Sequence, residues 1–139
     1  MVNEAPVSDQ VNFEHIPRPE TVSKEYLRDI LDQYYTRKWN PNKDTVNAVK
    51  KWRDWPLVVR MPDVRADFTV MIDEGKVLEV RVGVPEQPRI LTIMLSETMQ
   101  RIYYDETTAA IEAIAGRIKI RGNETERRRL LAAISFLTW

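Results

Sequence analysis

The chain has no cysteine and a single histidine, His15, among its 139 residues. The first absence excludes disulfides, thiolate metal sites and thiol nucleophiles. The second leaves a histidine-based triad or a multi-histidine metal centre without its parts, and no metal or other cofactor is expected. Glycine is scarce, with four residues, and no Gly-rich phosphate loop, nucleophile elbow or zinc-protease signature occurs. No apolar run approaches the roughly 20 residues that a transmembrane helix needs. The first 20 residues lack the basic start and apolar stretch of a secretory signal, so the cytoplasm is the expected compartment. Neither sign of charge is in excess, with 21 Lys and Arg against 21 Asp and Glu. A general nucleic-acid binder shows a basic surplus, and no such partner is expected here.

What is present is a change of hydrophobic period along one domain-sized chain. Residues 1–20, with Pro6, Pro17 and Pro19 and no steady period, read as a flexible N-terminal arm, and residues 21–139 as the folded domain. Ser23 is a candidate N-cap, followed by Leu27, Ile30, Leu31 and Tyr34 on one helical stripe that Asn40-Pro41-Asn42 ends. A second helix is expected over 44–53, with Val46 and Val49 inward. Beyond Pro56 the period shortens to that of strands: 57–60, then 67–72 and 77–82 around the turn Asp73-Glu74-Gly75-Lys76, then 89–95. Leu78, Val80 and Val82 alternate with Glu79 and Arg81 and are expected to share a buried face. Ser96 is expected to cap a helix carrying Met99, Ile102 and Tyr103. Asp105 or Thr107 is expected to cap another, with Ile111, Ile114 and Ala115 inward and Gly116 at its exit. Arg117 to Arg121 alternates cationic and apolar as a fifth strand, and Asn123 caps a last helix that buries Leu130, Leu131, Ile134 and Leu137. Hairpin-linked strands with helices gathered at both ends predict an α+β fold, a sheet covered by helices on one face.

From about Asp67 to Ile134 the chain resembles the sterol carrier protein family, type two. The strongest stretch runs from Thr107 to Asn123: a short helix, then Gly116-Arg117-Ile118-Lys119-Ile120-Arg121, then Gly122-Asn123. Leu130-Leu131 falls where the family has its apolar closing helix, and Glu74-Gly75-Lys76 resembles its hairpin turn. The resemblance implies a five-stranded, sterol-carrier-like sheet with an apolar cavity between sheet and helices. It also implies a ligand such as a fatty acyl chain, an acyl-thioester, a sterol or a phospholipid. It carries over no catalytic residue. The chain ends Leu137-Thr138-Trp139, unlike the Ser-Lys-Leu-like ending of peroxisomal members, and Trp39, Trp52 and Trp55 have no counterpart in the family pattern.

The candidate lining of that cavity is Phe68, Val70, Leu91, Ile93, Met99, Tyr103, Ile111, Ile114, Ile118, Leu130, Ile134 and Phe136. Met99 adapts to variable shapes, and Tyr103 can offer a hydroxyl to a polar group. Burying about ten methylenes at ~0.8 kcal/mol each supplies a gross ~8 kcal/mol, comparable with micromolar binding before association costs. Asp73-Glu74 and Asp105-Glu106 fit a turn and a helix start better than acid–base catalysis. Arg127-Arg128-Arg129, beside Glu124 and Glu126, reads as a solvated helix face, and Trp52 and Trp55 as core. The expected function is a non-catalytic carrier of a lipid or other apolar ligand, capable of transient membrane contact. The alternative is an accessory subunit that docks onto an enzyme partner and presents an apolar substrate.

Overall fold

Ser23 starts the first helix, its hydroxyl accepting the Tyr26 N–H at 3.1 Å. The structure, a computed structural model, describes residues 14–85 and 88–139; the expected arm before Glu14 lies outside the described residues. Helix α1, Lys24–Tyr34, buries Leu27, Ile30, Leu31 and Tyr34, the stripe its spacing predicts. The chain then widens into a π turn, Tyr35–Trp39, closed by the Asn40 N–H on the Tyr35 carbonyl at 2.9 Å. This turn buries both Tyr35 and Trp39, whose rings meet edge to face at 5.5 Å. Helix α2 is shorter than expected, Lys43–Ala48 rather than 44–53. The chain leaves it at Val49, and Trp52 stacks on Trp55 with ring centroids 4.7 Å apart.

Five strands follow: β1 (Trp55–Met61), β2 (Ala66–Asp73), β3 (Lys76–Val82), β4 (Ile90–Ile93) and β5 (Lys119–Gly122). They form one sheet in the order β3-β2-β1-β4-β5, with β1 and β4 parallel and the other pairs antiparallel. The remaining helices are α3 (Ser96–Tyr103), α4 (Ala109–Ile114) and α5 (Glu124–Ser135). Leu57, Val59 and Met61 of β1, Phe68 and Val70 of β2 and Ile90 of β4 join the helices in one buried cluster. Arg60, Glu79, Arg81, Lys119 and Arg121 are exposed and lie by alternation on the other face. The α+β sheet with helices on one face is the predicted architecture.

The β2–β3 turn puts Glu74 at φ 49° and Gly75 at φ 85°, the pattern of a tight hairpin. Gly75 is also required by space, since a Cβ there would lie 2.2 Å from the Val46 carbonyl oxygen. Its own carbonyl accepts the Trp39 indole N–H at 2.8 Å, which ties the hairpin to the π turn.

Local chemistry departs from the sequence reading elsewhere too. A bulge between Met71 and Ile72 shifts the register of β3, so Val77 and Val80 point inward while Leu78 is 65 % exposed; Val82, opposite Phe68 at the end of this edge strand, is exposed without any change of register. Ser96 does not cap α3. Asp63, from the turn after β1, accepts both the Ser96 N–H at 2.9 Å and the Ser96 hydroxyl at 2.6 Å. Helix α4 is capped by Thr108, not by Asp105 or Thr107, the Thr108 hydroxyl accepting the Ile111 N–H at 3.1 Å. Asn123 caps α5 as expected, accepting the Thr125 and Glu126 N–H groups, but Leu131, expected to be buried, is 41 % exposed. The Glu126 carboxylate accepts the Trp52 indole N–H at 2.8 Å.

Candidate ligand-binding site

The inner faces of β1, β4 and β5 meet α3, α5 and the π turn around a small apolar void. Leu57, Thr92, Met94 and Ile118 form its sheet side; Met99, Ile102, Leu130 and Ile134 come from the helices; Tyr34, Tyr35 and Trp39 close it from the α1 end. Its volume is about 30 Å³, against ~10–15 Å³ for one water and ~150 Å³ for a cavity that takes a benzene ring. Among the described residues this void, as it stands, is narrower than the hydrocarbon tail that the resemblance implies. Large side chains along this seam, Tyr34, Tyr35 and Trp39 among them, close it. Burial pushes the Tyr34 and Tyr35 phenols above their usual range, so both stay neutral and the wall carries no charge near neutral pH.

Outside this void lies an open groove of about 340 Å³, walled by Pro62, Ile93, Leu95, Thr98 and Gly116, with Arg117 and Lys119 on its rim. Met94 lines both spaces. Met94 is the one residue the two linings share, and methionine reshapes at little cost. The rim is held by a buried carboxylate: fully buried Glu112 takes two hydrogen bonds from half-exposed Arg117 and one from Thr107. These partners hold the Glu112 carboxyl down at about 2, with the Arg117 hydrogen bonds the largest cause.

Of the twelve predicted lining residues, Met99, Ile118, Leu130 and Ile134 meet at the void. Phe68 and Val70 are core on β2 and do not line it, and Tyr103 is buried where α3 meets the N-terminal segment. Its hydroxyl accepts the Ile16 N–H at 2.7 Å and donates to Gln33 at 2.5 Å, while the Tyr104 hydroxyl donates to the Ile16 carbonyl at 2.6 Å. Leu91 and Ile93 alternate onto the opposite sheet face, where Ile93 reaches the groove. Ile111, Ile114 and Phe136 stand at the surface, 42 %, 88 % and 44 % exposed. Helix α4 is only six residues long and turns Ala109, Ala110 and Glu112 inward, which leaves both isoleucines outside. Sequence reasoning missed Met94, Thr92 and the aromatics of the π turn. The signal for Thr92 was there: it alternates with Leu91 and Ile93 and so shares the inner face with Ile90.

Among the described residues, no group of three or more His, Cys, Asp or Glu could hold a metal ion, and no helix is long and apolar enough to cross a membrane. No protein-family model matches the sequence, and no curated protein is similar enough to count as a relative. Solved structures do share the architecture. UbiJ-SCP2, named as a ubiquinone synthesis protein, superposes with a TM-score of 0.55 at 11% identity, over 84% of this chain and 94% of that one. The fold is that of the sterol carriers. The same fold occurs in the sec-alkylsulfatase Pisa1 from Pseudomonas sp., at TM-score 0.51 and 17% identity over 78% of this chain. This sterol-carrier-like chain spans only 16% of the alkylsulfatase. A sterol carrier protein 2 like 2 structure from Aedes aegypti gives a TM-score of 0.49 at 18% identity, over 74% of this chain and 91% of that one. At such identities the likeness is one of fold.

Proposed function

We propose that this protein is a non-catalytic binder of a lipid-like apolar molecule, taken up from the groove into the space between sheet and helices when Met94 moves aside. The observation that carries the reading is that Met94 belongs to the lining of both the void and the groove. The void is apolar and already lined by adaptable side chains, Met94 and Met99, that can retreat as a tail enters. Each methylene transferred contributes ~0.8 kcal/mol, so a medium-length chain can offset the cost of parting the core. Arg117 and Lys119 at the rim suit a ligand, or a surface delivering it, that is not strongly cationic. The sterol-carrier-like fold and the name of the ubiquinone synthesis neighbour agree with an apolar cargo.

Gentle purification followed by native mass spectrometry and solvent extraction tests this. Recovery of a co-purifying apolar molecule, or stoichiometric uptake of an added decyl-chain alcohol, is the expected result. A protein that carries nothing and takes up no such chain would overturn the reading.

A second reading, an accessory module that presents an apolar substrate to an enzyme, is favoured by the alkylsulfatase, in which the same fold makes up a small part of a longer chain. Co-purification at fixed stoichiometry with one enzyme would support it over a free carrier.

A further inference from the structure

Thr92 sits mid-way along β4, on the inner face, paired with Val59 on one side and Ile120 on the other. It lines the void, is only 4 % exposed, and its hydroxyl has no hydrogen-bond partner. Four other buried threonines use theirs. Thr45 donates to the Ala133 carbonyl at 2.8 Å, Thr69 to the Gly83 carbonyl at 2.8 Å and Thr107 to Glu112 at 2.8 Å, while Thr108 caps α4. A buried hydroxyl without a partner is unfavourable, and valine would fill the same shape without that cost. Its flanking positions, Val59 and Ile120, already hold such residues.

We infer that the apolar ligand carries one uncharged oxygen function, a ketone, hydroxyl or quinone-type carbonyl, that hydrogen-bonds the Thr92 hydroxyl inside the protein. The inference rests on the binding reading given above and narrows it. A plain hydrocarbon would leave the hydroxyl unpaired, and a charged carboxylate or phosphate would be desolvated among neutral side chains. A neutral oxygen set among methylenes meets both conditions: the hydroxyl donates to it, and the rest of the molecule buries in the seam that Met94 and Met99 open.

The test compares two probes of equal length, octane and 4-octanone, on the full-length wild-type protein and on Thr92→Val and Thr92→Ser. Binding is read from the methyl resonances of the methionines. Thr92→Val is expected to weaken 4-octanone about fivefold more than octane, the loss of one neutral hydrogen bond. Thr92→Ser, which keeps the hydroxyl, is expected to retain the ketone affinity. Equal binding of 4-octanone to wild type and Thr92→Val, or an equal weakening of both probes, would overturn the inference while the binding reading stands. Failure of both probes to bind the wild-type protein would overturn the two together.

Discussion

The Glu112 carboxylate takes hydrogen bonds from the Arg117 guanidinium at both of its oxygens, 2.6 Å to the Arg117 Nε and 2.8 Å to a terminal nitrogen. The Glu112 carbonyl also receives the Arg117 and Ile118 N–H groups, at 2.9 and 3.3 Å. One residue of α4 thereby fixes the start of β5 and holds a cation at the rim of the groove. Glu112→Gln keeps the shape and removes the charge. It is expected to cost about 2 kcal/mol in denaturant unfolding, below the ~3–5 kcal/mol of a fully buried pair, because Arg117 remains half in water. An unchanged midpoint would show that the pair is not what holds this corner.

The same carboxylate makes stability depend on acid pH. Its pKa is lowered from 4.5 to about 2 in the folded protein, chiefly by the Arg117 hydrogen bonds. A lowered carboxyl pKa stabilises the fold above its unfolded value, and that contribution fades as the pH falls towards the folded value. The stability gap between wild type and Glu112→Gln is therefore expected to be full above pH 4.5 and to narrow steadily towards pH 2. A gap that is constant across this range would assign the loss to something other than charge.

Asp63 caps α3 from another element, and α3 carries Met99 and Ile102 to the void. Asp63→Ala is expected to lose about 1 kcal/mol, as for other helix caps. It should also speed amide exchange in the first turn of α3 ahead of the rest of the chain. Unaltered exchange there would mean that the cap contributes nothing.

Gly75→Ala meets two obstacles, a positive φ of 85° and a Cβ 2.2 Å from the Val46 carbonyl oxygen. The hairpin tip must separate from α2, and a loss of about 2 kcal/mol or more is expected. A thermal midpoint within experimental error of wild type would contradict the close approach.

Met94→Ala shortens the side chain that the groove and void linings share. It is expected to cost about 2–3 kcal/mol in stability and to accelerate uptake of a decyl-chain probe several-fold, because the obstruction is removed. Slower uptake, with the same loss of stability, would place the way in elsewhere.

The fold was legible where a period and a turn residue agree. The α1 stripe, the Glu74-Gly75 hairpin, the alternation of β5 and the Asn123 cap all follow from neighbours in sequence. The rest depends on distant partners. Nothing local foretells that Asp63 caps a helix beginning at Ser96, or that a bulge at Met71 turns Leu78 outward. The candidate site was half legible for a related reason. A helical or strand period says which residues share a face, as for Met99, Leu130 and Ile134. It does not say how far large side chains such as Tyr35 and Trp39 reach into the seam, and these leave a void of about 30 Å³.

The protein's methionines report on the central claim. Met94 and Met99 line the void, Met61 is buried away from it, and Met71 is partly exposed on the opposite sheet face. Titrating a decyl-chain alcohol into methyl-labelled protein should move the Met94 and Met99 resonances to saturation and leave Met61 and Met71 in place. Saturable binding that leaves Met94 and Met99 unmoved, or no binding at all, would contradict uptake between sheet and helices.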